Sequence, residues 1–146
     1  MQASFTAECM VPNGLKYKDV EALNRLLAEF SPRALPPPFH VWREMTDKNF
    51  LFVALTQERE IVGMATLVIN CIPTGRIGLV EDVIVARAAR GQGAGRGLVQ
   101  LLIETARAHK LKRIDLTSRR SRIEANSLYQ KLGFAYRDTN NYRLTL

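Results

Sequence analysis

One stretch limits this chain more than any other: Val80-Glu81-Asp82-Val83-Ile84-Val85-Ala86-Arg87-Ala88-Ala89-Arg90-Gly91-Gln92-Gly93-Ala94-Gly95-Arg96-Gly97-Leu98. It reads as a strand, a glycine-rich turn and the start of a helix. Val83 to Val85 are β-branched and apolar, which suits a strand partly buried on both faces. Gly91, Gly93 and Gly95 do not serve helix stability, because each interior glycine costs about 1 kcal/mol relative to alanine. They make sense where something must approach the backbone closely. A helix start offers unpaired N–H groups and a partial positive charge, and this suits a phosphate. Arg87, Arg90 and Arg96 add full charges around the same turn.

Two familiar phosphate loops fail here. A dinucleotide fingerprint, G-x-G-x-x-G, would end on Arg96 if begun at Gly91 and on Leu98 if begun at Gly93. A P-loop needs Gly-Lys followed by Ser or Thr, and no Gly-Lys pair follows this turn. What fits is [RQ]-x-x-G-x-[GA], as Arg90-Gly91-Gln92-Gly93-Ala94-Gly95.

A chain of 146 residues suits one domain, residues 1–146, with one core. Its 47% hydrophobic and 24% charged content is ordinary for a globular protein, and no apolar run reaches membrane-spanning length. Met1-Gln2-Ala3-Ser4-Phe5 lacks a basic region followed by an apolar one, so no signal peptide is expected and the expected location is the cytoplasm. Cys9 and Cys71 lie in apolar, strand-like stretches and are expected to be buried free thiols. With His40 and His109 they show no metal-ligand spacing, so no metal is expected. The net charge of +7 raises nucleic-acid binding. The charge gathers at the glycine loop and at Arg119, Arg120 and Arg122 without interleaved aromatics, which suits a polyanionic small molecule better.

Taken in order, residues 4–11 read as a strand and Pro12-Asn13-Gly14 as a turn. Val20, Leu23, Leu26, Leu27 and Phe30 mark one face of a helix over Tyr17 to Phe30. Leu35-Pro36-Pro37-Pro38 is stiff and extended, either a spacer or a wall facing a substrate. A short helix from Phe39 to Asp47 carries Trp42, which belongs to the core or to an acceptor pocket. Phe50–Leu55, Ile61–Ile72 and Ile77–Val85 form an antiparallel meander. After the glycine loop, Leu98, Leu101, Leu102, Thr105 and Ala106 make a helical stripe, and residues 113–117 return as a strand parallel to the one before the loop. A helix over Ile123 to Leu132 ends at Gly133, and Ala135–Arg137 and Tyr142–Leu146 are expected as two last strands.

The resulting α/β order, β-α-α-β-β-β-α-β-α-β-β, together with the loop hexapeptide, resembles the GCN5-related N-acetyltransferase (GNAT) superfamily over nearly the whole chain. A second motif is similar to the family's N-x-x-x-x-x-x-G-F segment: Asn126-Ser127-Leu128-Tyr129-Gln130-Lys131-Leu132-Gly133-Phe134. The resemblance implies acetyl-CoA as co-substrate and direct attack by a primary amine, with a small molecule as the leading acceptor. Protein N-terminal or lysine acetylation and a non-catalytic acyl-CoA sensor stand as alternatives. Nucleic acid and membrane are not expected as partners, and a homodimer through the final strands is the family's habit.

The same resemblance distributes roles. The loop Arg90, Gly91, Gln92, Gly93, Ala94, Gly95 and Arg96 would bind the cofactor, with the main-chain N–H groups of Gln92 through Arg96 holding the pyrophosphate. Val83, Ile84 and Val85 would pair through main chain with the pantetheine arm, and an N–H near Val83 would meet the thioester carbonyl. Asn126 would touch the same arm, and Tyr129 would protonate the leaving thiolate. Glu81 and Asp82 are the two candidate bases. Being adjacent, they face opposite ways in a regular strand, and parity with Val83 and Val85 favours Glu81 unless a bulge intervenes. Neither cysteine has the neighbours of a nucleophile. Arg119-Arg120-Ser121-Arg122 reads as a solvated loop, or as a contact for a phosphate or an anionic acceptor.

Overall fold

The computed structural model describes residues 4–146. The elements are β1 (Thr6–Met10), α1 (Tyr17–Phe30), α2 (Phe39–Lys48), β2 (Phe50–Leu55), β3 (Ile61–Ile72), β4 (Gly75–Val85), α3 (Ala94–Ala108), β5 (Ile114–Leu116) and α4 (Ile123–Lys131). The strands form one sheet in chain order, antiparallel from β1 to β4 and parallel between β4 and β5.

Helices cover both faces of this sheet, and β2 shows why its sequence has no polar residue. Leu51, Val53 and Leu55 pack with Leu23 and Leu26 of α1 and Trp42 of α2. Phe52 and Ala54, pointing the other way, pack with Leu98, Leu102 and Ala106 of α3. Alternation of side chains along a strand thus feeds two apolar layers at once. α1 starts where the Asp19 carboxylate accepts the Lys16 backbone N–H at 2.9 Å, which satisfies one of the donors a helix start leaves unpaired. The three prolines end at Pro38, which caps α2 from an extended conformation (φ −70°, ψ 162°).

β4 and β5 pair only through Gly78↔Ile114, Leu79↔Asp115 and Val80↔Leu116. Gly78 makes this approach close. A Cβ there would lie 2.7 Å from Leu67 Cδ1 and 2.8 Å from Ile114 Cγ2. Gly78→Val is therefore expected to destabilise the fold by about 3 kcal/mol through overpacking, readable as a shifted urea midpoint.

Beyond Val80, β4 changes register against β3. Thr66 faces Glu81, yet Met64 faces Ile84, so β4 carries one extra residue. Asp82 sits in the left-handed region at φ +50°. The extra residue switches which face of the sheet is met: Val80 packs in the α3 layer, whereas Ile84, four residues on, packs in the α1–α2 layer.

Two expectations are corrected. Residues 135–146 form no strand. Tyr136, Tyr142 and Leu144 are exposed, and the last ordered link is the Phe134 N–H donating to the Tyr129 carbonyl at 3.0 Å. The segments are short and split by Asp138-Thr139-Asn140-Asn141, the nearby edge strand β5 has only three residues, and an isolated short hairpin is marginal. The cysteines are exposed, not buried. Cys9 lies on edge strand β1, and Cys71 lies near the tip of the β3–β4 hairpin, so apolar neighbours in sequence did not bring cover.

Candidate active site

The bulge, the early end of β4–β5 pairing and the start of α3 come together on one side of the sheet. From Glu81 to Val85, β4 has no β5 partner. Val83 and Val85 lean their side chains on the α3 layer and Ile84 on the other, which leaves main chain facing the gap. At the end of β4, a short 3₁₀ turn, Arg87–Ala89, leads into the glycine loop. The Arg87 backbone N–H donates to Glu29 Oε2 at 2.9 Å, which ties the loop to α1.

Gly91 (φ +72°) and Gly93 (φ +96°) bend the chain through the left-handed region, and no atom lies within 4 Å of a Cβ built at either. α3 starts at Ala94, and its first backward bond runs from the Gly97 N–H to the Gly93 carbonyl at 3.0 Å. The N–H groups of Ala94, Gly95 and Arg96 precede that bond and have no partner within the helix. Two loop side chains are used internally: Arg90 Nε donates to the Val85 carbonyl at 3.0 Å, and Gln92 Nε2 to the Ala88 carbonyl at 2.8 Å. The Arg96 side chain lies in solvent. An open concave backbone, free N–H groups and nearby cations together fit a pyrophosphate.

On the far side of the gap stands α4. Tyr129 is buried, with its ring edge-on to Phe134 at 5.8 Å between centroids. Burial pushes its hydroxyl above the usual tyrosine range, opposed by the positive charge of Arg122, so it stays protonated at neutral pH. Asn126 is half-buried and donates to the Arg119 carbonyl at 2.9 Å, so its amide nitrogen holds the loop that precedes α4. Arg122 bridges the cleft. Its guanidinium donates to the Val83 carbonyl at 3.3 Å and lies over the Phe30 ring at 5.3 Å. The run Arg119–Arg122 therefore divides: Arg119 and Arg120 face solvent, and Arg122 points into the site.

A cavity of about 90 Å³ opens between the α1–α2 layer and the middle of the sheet. Leu27, Val41, Trp42 and Met45 of the two helices wall it, with Pro37 from the proline run. Met64 and Thr66 of β3 and Asp82 of the bulge close the other end. The Trp42 indole N–H donates to Asn24 Oδ1 at 2.9 Å, and Asn24 Nδ2 donates to the Pro37 carbonyl at 3.4 Å, so wall and core share one network. Partial desolvation beside the cavity pushes the Asp82 carboxyl above the ordinary aspartate range. Glu81 and Asp82 are both solvent-exposed, but only Asp82 lines the cavity. Parity counting favoured Glu81 only for a regular strand, and the bulge removes that condition.

The sequence offered Trp42 and the proline run as walls of an acceptor site, and both line the cavity, but it did not bring Leu27, Val41, Met45, Met64 and Thr66 to them. Val41, Trp42 and Met45, and Met64 with Thr66, carried the signal in their i, i+4 and i, i+2 spacing, but which face met which needs the packed layers. The aim of Arg122 left no mark in sequence at all.

A five-stranded sheet that splays beside a glycine loop defines the acyl-CoA N-acyltransferase class of fold. The acetyltransferase (GNAT) family model matches residues 20–134, and the chain belongs to that family. It is 33% identical over 67 residues (46% of this chain) to the uncharacterized N-acetyltransferase YobR of Bacillus subtilis. It is 40% identical over 60 residues (41% of this chain) to glucosamine 6-phosphate N-acetyltransferase 1 of Oryza sativa. These matches span 27% and 34% of the two relatives' lengths. Among solved structures, an aminoglycoside acetyltransferase from an uncultured soil metagenomic sample superposes with a TM-score of 0.84 at 17% identity, covering 97% of this chain and 96% of the other. That likeness shows the fold. No described helix is long and apolar enough to cross a membrane.

Proposed function

We propose that the protein is an acetyl-CoA-dependent N-acetyltransferase acting on a primary amine of a small molecule. The observation that carries this reading is the course of β4: beyond its last pairing with β5 at Val80, it runs from Asp82, which lines the cavity, to Val85, just before the turn that opens the glycine loop. GNAT acetyltransferases use acetyl-CoA, which supplies an activated acyl group as a thioester.

The chain's own groups divide the work. The N–H groups of Ala94, Gly95 and Arg96 receive pyrophosphate, with Arg87 and Arg96 adding charge. The main chain of Val83 to Val85 orients the pantetheine arm, and Asn126 Oδ1 offers it an acceptor. Arg122 must yield the Val83 carbonyl as the arm enters. Asp82 takes the proton from the ammonium form of the acceptor, directly or through water, because only the free amine is a nucleophile. Its raised pKa brings it nearer the working pH than an ordinary aspartate. Tyr129 donates a hydrogen bond or a proton to the departing sulfur, beside the charge of Arg122.

The small volume of the cavity, about 90 Å³, favours a small acceptor over a peptide. The rice relative is named for glucosamine 6-phosphate and the metagenomic structure for aminoglycosides, both small amines.

Calorimetric titration with acetyl-CoA, followed by a thiol-release screen of amines, tests the assignment. Micromolar binding with turnover supports it. Binding without turnover on any amine returns the sensor reading, and no binding ends the acetyl-CoA assignment. Tyr129→Phe keeps the ring against Phe134 and removes only the hydroxyl. It is expected to lower kcat roughly 10- to 100-fold while leaving acetyl-CoA affinity within about twofold, the modest size reflecting how well a thiolate leaves unaided.

A further inference from the structure

Resting on the acetyl-transfer reading of the same cleft, we infer that the acceptor is a primary amine on a compact apolar body, such as a short alkyl chain, and not an aminosugar or a diamine. The cavity has two unlike ends. At the bulge, Asp82 supplies a carboxylate and Thr66 a hydroxyl. At the helical end the lining is Leu27, Pro37, Val41, Trp42 and Met45, and the Pro37 carbonyl already accepts from Asn24 Nδ2 at 3.4 Å. The one donor there, the Trp42 indole N–H, is already held by Asn24 Oδ1 at 2.9 Å. An ammonium group therefore meets its counter-charge at one end only, and whatever follows it enters a wall without hydrogen-bonding partners.

Size points the same way. At about 90 Å³ the cavity takes a slender alkylamine, while a hydroxylated six-membered ring, with about twice as many heavy atoms, overfills it. Each sugar hydroxyl driven against this wall loses its water without replacement, which weakens binding about tenfold or more. A second ammonium buried beside Met45 and Trp42 is worse still, having no partner to balance its desolvation. Acceptors of this kind differ from the amino sugars in the names of the rice and metagenomic relatives.

The test compares n-pentylamine, 1,5-diaminopentane and glucosamine with the full chain at saturating acetyl-CoA, reading kcat/KM by thiol release. Binding is read in parallel from the emission of Trp42, the chain's one tryptophan, and acetyl-CoA binding by calorimetry. n-Pentylamine is expected to exceed the diamine of equal length by about 100-fold or more, and glucosamine by at least tenfold. Val41→Asp, at a site 40% exposed where a charge is tolerated, is expected to close the gap between monoamine and diamine by about tenfold. Preference for the diamine or glucosamine with acetyl-CoA bound overturns the inference and leaves the acetyl-transfer reading standing. The inference is also overturned if acetyl-CoA binds but n-pentylamine is neither turned over nor able to change Trp42 emission. A saturable change with n-pentylamine and none with the diamine supports it even where turnover is slow. Failure to bind acetyl-CoA overturns the underlying reading, and the inference with it.

Discussion

Gly95→Glu is expected to weaken acetyl-CoA binding at least 100-fold while leaving the melting temperature at or above that of the native chain. The two effects separate because of where Gly95 sits. It lies in the first turn of α3 with ordinary helical backbone, and a Cβ there meets Val85 Cγ2 at 3.5 Å and Leu128 Cδ2 at 3.6 Å, both normal contacts. Glutamate is a better helix former than glycine by about half a kcal/mol or more, and an acid in the first turn is favoured by the helix dipole. The same carboxylate lies among the N–H groups that would receive pyrophosphate, where like charge repels and the added side chain narrows the cleft between β4 and α4. A substitution at Gly93 would confound the two, since its φ of +96° strains any side chain. Calorimetry for binding and a thermal melt for stability decide the matter. Native-like affinity in the folded variant would place the cofactor phosphate elsewhere.

Asp82→Asn is expected to reduce kcat/KM about 100-fold or more at neutral pH without loss of stability. Asparagine suits the left-handed backbone at φ +50° as well as aspartate does, so the bulge survives. What disappears is the carboxylate. Partial loss of water beside the cavity raises the pKa of the still solvent-exposed Asp82 above its unfolded value, so folding weakly favours the protonated form. That contribution is complete below the unfolded pKa and is lost as pH rises through the folded one. At neutral pH the charged side chain therefore opposes folding, and the asparagine variant is expected to be at least as resistant to urea there. In acid, where Asp82 is protonated, the difference between the two chains vanishes. The pH–rate profile gives the complementary sign. The native enzyme keeps kcat/KM until Asp82 is protonated, whereas the variant follows the ionisation of the acceptor alone. The gap narrows as alkaline pH frees the amine without help. Glu81→Gln serves as the comparison, because its exposed side chain lies off the cavity. If Glu81→Gln loses the larger share of activity, the base assignment moves to Glu81.

Much of the fold was legible because its signals were local. The 14-residue α1 and strands β2 and β3 run between the residues that periodicity and turn chemistry mark for them. Apolar spacing and breaker residues act within a few positions of themselves, so no distant contact was needed to read them. The C-terminal strands failed for the converse reason. A strand exists only with a partner, and residues 135–146 have strand-like composition without one. Exposure of Cys9 and Cys71 follows the same logic, since burial depends on what lies across from a strand and not on its neighbours in sequence.

The site divides along this line. Sequence alone carried the features on which the proposed chemistry rests: a glycine-rich turn, a helix start behind it, a carboxylate pair before it and a tyrosine in a later helix. Those features are short-range and survive without coordinates. The tertiary structure decided everything that depends on parity and packing. A single inserted residue at Asp82 turned the strand over and put that carboxylate, not Glu81, against the cavity. Layer packing chose Leu27, Met45 and Trp42 as its wall, and sent Arg122 across the gap to the Val83 carbonyl while Arg119 and Arg120 stayed in water. Side-chain direction in a sheet repeats every two residues, so one extra residue reverses it, and no count along the chain registers the reversal until the neighbouring strand is in place.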